Sequence, residues 1–78
     1  MTKDERFLIE LYRASQAAGS PDVEINPLPI AKKLGYKEHL TKELLKGLCK
    51  ANLIKAYGPE EIVVTERGQE VARALLSS

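Results

Sequence analysis

Residues 36–57, YKEHLTKELLKGLCKANLIKAY, carry the pattern that decides the fold. At about 100° per residue, a helix over about 37–51 has one apolar face and one charged face. The apolar face contains Leu40, Thr41, Leu44, Leu45 and Leu48. The charged face contains His39, Lys42, Glu43, Lys46 and Lys50. Asn52 can adopt the left-handed conformation that ends a helix, so the stretch predicts an amphipathic helix followed directly by a strand over 53–57.

The residues after this helix predict a β-hairpin over 53–65 and a last helix. LIKAY (53–57) and IVVT (62–65) are apolar or β-branched runs, and the turn-forming residues GPEE lie between them. Thr65 can cap the last helix, because its hydroxyl can accept from a free backbone N–H of the first turn. The buried side of that helix is expected to contain Val71, Ala72, Leu75 and Leu76.

The residues before it predict two more helices. Thr2 and Glu5 have the spacing of a capping box, and apolar residues then recur at helical spacing up to Gly19, a suitable residue just beyond a helix end. The next residues, GSPD, predict a loop, and VEI (23–25) alternates like a short edge strand. A second helix is expected to begin at Pro27, where proline is tolerated, and to end at Gly35.

These elements predict one domain over residues 1–78 whose fold class is mainly α with a small β-hairpin (α+β). The predicted order is helix, strand, helix, helix, two hairpin strands, helix. A chain of 78 residues buries only about 60% of its unfolded surface, so dimerisation would be a natural supplement to its stability.

Several classes of protein are disfavoured by composition. No apolar run approaches the roughly 18 residues of a membrane span, and acids near the N-terminus do not fit a secretory signal. The single cysteine, Cys49, cannot form an internal disulfide and suits a reducing cytoplasm. One cysteine and one histidine are too few for a zinc site, so no metal or cofactor is expected. No nucleophile has an evident base and no glycine-rich phosphate loop is present, so the chain is not expected to be an enzyme.

Positive charge is concentrated in the middle third of the chain. Residues 26–57 contain seven lysines and two glutamates, a net charge of +5, whereas residues 1–25 and 58–78 each carry −2. A basic segment between two acidic ones points to a polyanionic partner.

Three segments resemble the winged helix-turn-helix superfamily, and within it small bacterial and archaeal transcription regulators. The segments are IAKKLGY (30–36), LLKGLCKANLI (44–54) and VVTERGQEVA (63–72). The first matches an A-x-x-L-G second helix. The second matches L-x-x-x-G-L-I after the recognition helix, with Asn52 in place of glycine. The third matches L-T-x-x-G before the last helix, with Val64 in place of leucine.

The resemblance implies a homodimeric, cytoplasmic regulator that binds double-stranded DNA, with the third helix in the major groove and the hairpin as a wing. The residues expected at DNA are Lys32, Lys33, Lys37, His39, Lys42, Lys46, Lys50, Lys55 and Tyr57. The apolar residues considered for the dimer interface are Ala18, Ala72, Leu75 and Leu76.

A second hypothesis is a winged-helix module that binds another protein and not DNA. The wing tip is Pro59-Glu60-Glu61, and carboxylates there would repel phosphate. Residues 14–66 contain no arginine, the commonest bidentate reader of guanine. Such a module would use the wing, or the groove beside the third helix, as its docking surface.

Overall fold

The computed structural model describes residues 1–19 and 22–78, which form four α-helices and one antiparallel hairpin. The helices are α1 (Lys3–Ala17), α2 (Pro27–Lys33), α3 (Glu38–Lys50) and α4 (Glu66–Ser77). The strands are β1 (Ile54–Gly58) and β2 (Glu61–Val64). The mainly helical α+β class is therefore confirmed. Ser20 and Pro21, which fall in the predicted loop, lie outside the described residues.

Three helices end as the residue types predict. The residue after each C-cap has a positive φ: 91° at Gly19 after α1, 80° at Gly35 after α2 and 62° at Asn52 after α3. This conformation lets the next backbone N–H reach back into the last turn, as Leu53 N does to Leu48 O at 2.9 Å. The chain is thereby turned sharply from α3 into β1.

The predicted caps at the starts of α1 and α4 are also confirmed. Thr2 and Glu5 form the full capping box, in which Glu5 Oε1 accepts from Thr2 N at 2.9 Å. Thr65 Oγ1 accepts from Gly68 N at 3.0 Å and donates to Asn52 O at 2.7 Å. Thr65 therefore fixes the start of α4 to the turn that follows α3.

The predicted strand at 23–25 is wrong. Only Ile25 pairs, in an isolated antiparallel bridge with Ile62 in which each residue donates to the other's carbonyl at 2.8 and 3.0 Å. The chain cannot extend this pairing, because Asn26 is the N-cap of α2 and Pro27 has no backbone N–H to donate. The order is therefore three helices, two strands and a helix within the described residues.

The core is built on the inner side of α1, and α1 packs against α2, α3, α4 and β2. Phe7, Leu8 and Leu11 of α1 are completely or almost completely buried. The Phe7 ring meets the Tyr36 ring edge to face, with centroids 5.9 Å apart, so α1 also holds the connection between α2 and α3. Ile54, Ile62 and Val64 of the hairpin close the other side of the core.

Helix α4 lies close to the chain between α3 and β1. Gly68 is buried, and a Cβ added there would overlap the Leu53 carbonyl oxygen and lie 2.9 Å from Val64 Cγ1. Ala72, one turn further along, is fully buried in the core, so it cannot contribute to the dimer interface considered above. Across residues 1–19 and 22–78, no helix combines the length and the apolar character needed to cross a bilayer.

Candidate functional site

Helix α3 presents the predicted charged face to solvent. Thr41 and Leu48 are buried, and the Thr41 hydroxyl donates to Lys37 O at 2.9 Å across the first turn. With that side fixed to the core, the opposite side is exposed. Its exposed residues are His39, Lys42, Glu43, Lys46 and Lys50. The division of α3 into a packed side and a charged side is therefore confirmed.

Two of these side chains have acidic neighbours on the same helix. Lys42 Nζ lies 3.3 Å from Glu38 Oε1, and His39 Nε2 lies 3.7 Å from Glu43 Oε1. Both pairs are largely exposed, so each contributes little to stability. Lys46 and Lys50 form no ion pair within the described residues. They are the free cations of α3.

Three further lysines flank the start of α3. Lys32 and Lys33 form the last turn of α2, and Lys37 is the N-cap of α3. All three side chains are exposed. Lys33 also borders a depression between α1 and α2 that includes Glu10, so it is turned partly away from the α3 surface.

Lys55 and Tyr57 form a separate pair on the hairpin. Lys55 Nζ lies 5.5 Å from the Tyr57 ring centroid, within the range of a cation–π interaction. Both side chains are exposed, Tyr57 to 56%. Lys55 alternates with the buried Ile54, so it projects from the outer face of β1. The nine predicted residues therefore occupy neighbouring surfaces of α2, α3 and the hairpin, and they do not form one cluster.

The hairpin tip is acidic, and Glu24 adds to it. Ile25 pairs with Ile62, which brings the preceding Glu24 beside Glu61. A hydrogen bond between the two carboxyl groups raises the pKa of Glu24 above its usual range, and repulsion from the Glu61 charge raises it further. The sequence predicted Glu60 and Glu61 as an acidic tip, but the contribution of Glu24 depends on the Ile25 bridge.

A groove runs between α3 and the hairpin, and we call it the α3–hairpin groove. It has a volume of about 540 Å³. Its apolar lining residues are Leu28, Leu45, Cys49, Ala56, Gly58, Pro59 and Ile62. Its charged lining residues are Glu38, Lys42, Lys46 and Glu60. Sequence reasoning pointed to a groove beside the third helix but missed its apolar floor. The signal available in the sequence was Leu28, an apolar residue between two prolines. In the structure its side chain is 39% exposed.

Comparison with protein-family models, curated proteins and solved structures gives no significant match to this chain. Among the described residues, no three His, Cys, Asp or Glu side chains are grouped so that they could hold a metal ion. Function is therefore inferred from three surfaces: the exposed lysines, the acidic hairpin tip and the α3–hairpin groove.

Proposed function

We propose that this chain is a winged helix-turn-helix domain that binds double-stranded DNA and regulates transcription. The observation that carries the proposal is how exposed the seven lysines in residues 26–57 are and how few of them have acidic partners. All seven are exposed, and six have no ion pair within the described residues. Unpaired lysines lose no internal partner when they bind phosphate, and they release counterions from DNA when they do so.

The arrangement of α2 and α3 supports the same proposal. Residues 34–37 form a short turn between the two helices, and α3 is amphipathic with its charged side free. In this proposal α3 enters the major groove, where His39, Lys42 and Lys46 face the bases. The lysines of α2 contact the backbone, and β1 and β2 form the wing with Lys55 and Tyr57 beside the phosphates.

The experiment is fluorescence anisotropy of a labelled mixed-sequence duplex, repeated over a salt series. We expect log affinity to fall linearly with log salt, with a slope of about −0.9 for each phosphate contact. Lys46→Gln with Lys50→Gln removes two unpaired lysines from α3. This double variant should weaken binding and make the slope shallower by about 0.9 for each of the two lysines that contacts a phosphate.

The matched control is Arg67→Gln with Arg73→Gln. It removes the same charge from exposed positions on α4, outside the proposed DNA interface. It should leave the salt slope unchanged. Equal effects of the two double variants would show that net charge alone governs binding, and no binding at low salt would exclude DNA as the main partner.

We further propose that the domain acts as a homodimer through α1 and α4. Leu76 is 42% exposed and Met1 74%, and both border a shallow depression with Ile9 of α1. Sedimentation equilibrium tests this, because Leu76→Glu should shift a dimer to monomer.

Docking of another protein is the second candidate function, and the hairpin tip favours it. Glu24, Glu60 and Glu61 gather negative charge where a wing would meet phosphate. A partner with a basic surface would be attracted there. In this case the chain fails to bind DNA at any salt concentration, and Glu60→Lys with Glu61→Lys abolishes docking instead of strengthening DNA binding.

A further inference from the structure

We propose that the α3–hairpin groove is a binding site for a small amphiphilic monoanion, a molecule with an apolar body and one carboxylate. This goes beyond the proposed function, because it assigns a small-molecule ligand to a groove that shares only Lys42 and Lys46 with the proposed DNA interface. It can be tested without DNA, so either proposal can fail alone.

The size and lining of the groove fit an apolar body. Its volume of about 540 Å³ lies within the range of about 300–1,000 Å³ typical of small-molecule sites. The wall formed by α3 includes Leu45 and Cys49, both half-buried. Ala56 and Ile62 are directly paired across the hairpin, so their side chains share the face that forms the opposite wall. An apolar ligand that removes this surface from water lowers the free energy, so its burial favours binding.

The charges at the groove favour an anionic head group. Lys42 and Lys46 are one turn apart on α3, close enough for both to approach one carboxylate. Of the two, only Lys42 has an acidic partner, Glu38. Lys46 has no ion pair within the described residues. The two carboxylates of the groove are dispersed, since Glu38 belongs to the first turn of α3 and Glu60 to the hairpin tip. They do not converge on one cation, whereas the lysines can converge on one anion.

Glu60 also limits which anions can bind. A ligand with a second carboxylate would bring it towards the acidic tip, where repulsion opposes binding. The groove should therefore prefer a monocarboxylate to the dicarboxylate of the same length. A bound monoanion would occupy Lys42 and Lys46, which the proposed DNA interface also uses.

The experiment is a two-dimensional ¹H–¹⁵N NMR titration of the full chain with decanoate at neutral pH. We expect concentration-dependent shifts confined to groove amides such as those of Leu45, Cys49, Ala56 and Ile62. Decanol, decylammonium and decanedioate have the same chain length with different charge, and each should bind more weakly than decanoate.

Two variants test the wall and the cation. Lys46→Met keeps the apolar stem but removes the charge, and should weaken decanoate binding by up to about fivefold, as expected for one exposed ion pair. Ala56→Glu places a carboxylate in the groove at an exposed position and should weaken decanoate more than tenfold. Lys50→Met is the matched control on α3. It removes an equally unpaired lysine that does not line the groove, so the affinity for decanoate should stay the same.

The spectrum of each unbound variant shows whether it is folded, so loss of binding is not confused with loss of structure. The proposal is overturned if decanoate leaves the groove amides unmoved, if shifts spread over unrelated surfaces, or if decylammonium binds as well as decanoate. It is also overturned if Lys46→Met and Lys50→Met have the same effect. Decanoate binding by a chain that does not bind DNA would support this site and contradict the DNA proposal alone.

Discussion

Gly68 marks the closest approach of α4 to the rest of the chain. Any side chain there would meet the Leu53 carbonyl oxygen, a backbone atom that cannot rotate away. Gly68→Ala should therefore lower the free energy of unfolding by about 1–3 kcal/mol, as overpacking of a buried site does. Urea denaturation followed by circular dichroism measures the change.

Gly47→Ala is the control for this prediction. Gly47 lies within α3, is exposed and has open space where a Cβ would project. Alanine should stabilise the helix there by about 0.5–1 kcal/mol. If both substitutions were stabilising, the close packing of α4 on Leu53 would be disproved.

Asn52 carries the one positive φ found at a non-glycine residue among those described. Asn52→Ala should cost about 1 kcal/mol, because a Cβ atom crowds the following carbonyl oxygen in the left-handed region and the short polar side chain of asparagine offsets that cost by local hydrogen bonding, which alanine cannot do. Asn52→Gly should be close to neutral. Thermal unfolding of the two variants tests this, and an equal loss in both would mean that the Asn52 side chain itself stabilises the turn.

Residue identity predicted these turns but only part of the site. Asn52, Gly35 and Gly19 could be recognised because few residue types adopt a positive φ. The exposed lysines followed from helical periodicity. Ala72 is buried, as its place on the inner side of α4 predicted, but it was wrongly considered for the dimer interface. Periodicity gives the inner side of a helix but not how deeply each residue of that side is covered.

Among the elements, the hairpin is the one whose stability should respond most directly to mild acid. The pKa of Glu24 is raised by its hydrogen bond with Glu61, so the folded state favours the protonated carboxyl group. The contribution of this hydrogen bond to the free energy of unfolding is complete below the ordinary glutamate pKa. It is lost as pH rises through the raised pKa of Glu24. At neutral pH the two carboxylates repel each other.

Glu24→Gln should therefore raise the melting temperature at neutral pH, and the difference from the parent chain should shrink towards about pH 4. Thermal unfolding over a pH series measures it. Glu70→Gln is the control, since it removes an exposed carboxylate from α4. The same pH dependence in both variants would show that the effect arises from net charge and not from the Glu24–Glu61 pair.

Element prediction failed where pairing depends on distant residues. The composition of residues 23–25 suits a strand, but the bridge to Ile62 is one residue long because α2 begins immediately afterwards. The α3–hairpin groove is hard to see in the sequence for the same reason. Its lining comes from α2, α3 and both strands, which only the folded chain brings together.

At the scale of the whole molecule, charge is divided between two neighbouring regions. Lysines dominate α2 and α3, whereas Glu24, Glu60 and Glu61 dominate the hairpin tip. If DNA is the partner, the tip opposes binding. Glu60→Gln with Glu61→Gln should then raise the affinity for duplex DNA at low salt, and the gain should shrink as salt screens the charges.

Anisotropy measured at two salt concentrations tests this prediction. Glu66→Gln with Glu70→Gln, which neutralises two exposed carboxylates on α4, controls for net charge. Weaker DNA binding after neutralisation of the tip would contradict the proposed position of the hairpin at the phosphates. An equal gain in both double variants would show that the tip has no special position.

The Ile25–Ile62 bridge gives the molecule a natural reporter of partial opening. The Ile62 amide hydrogen is bonded to Ile25 and not to β1, although Ile62 belongs to the hairpin. Its exchange with deuterated solvent therefore follows detachment of the connection between α1 and α2, whereas amides bonded between β1 and β2 follow separation of the strands. Two classes of amide in one small hairpin thus distinguish which of its borders opens first.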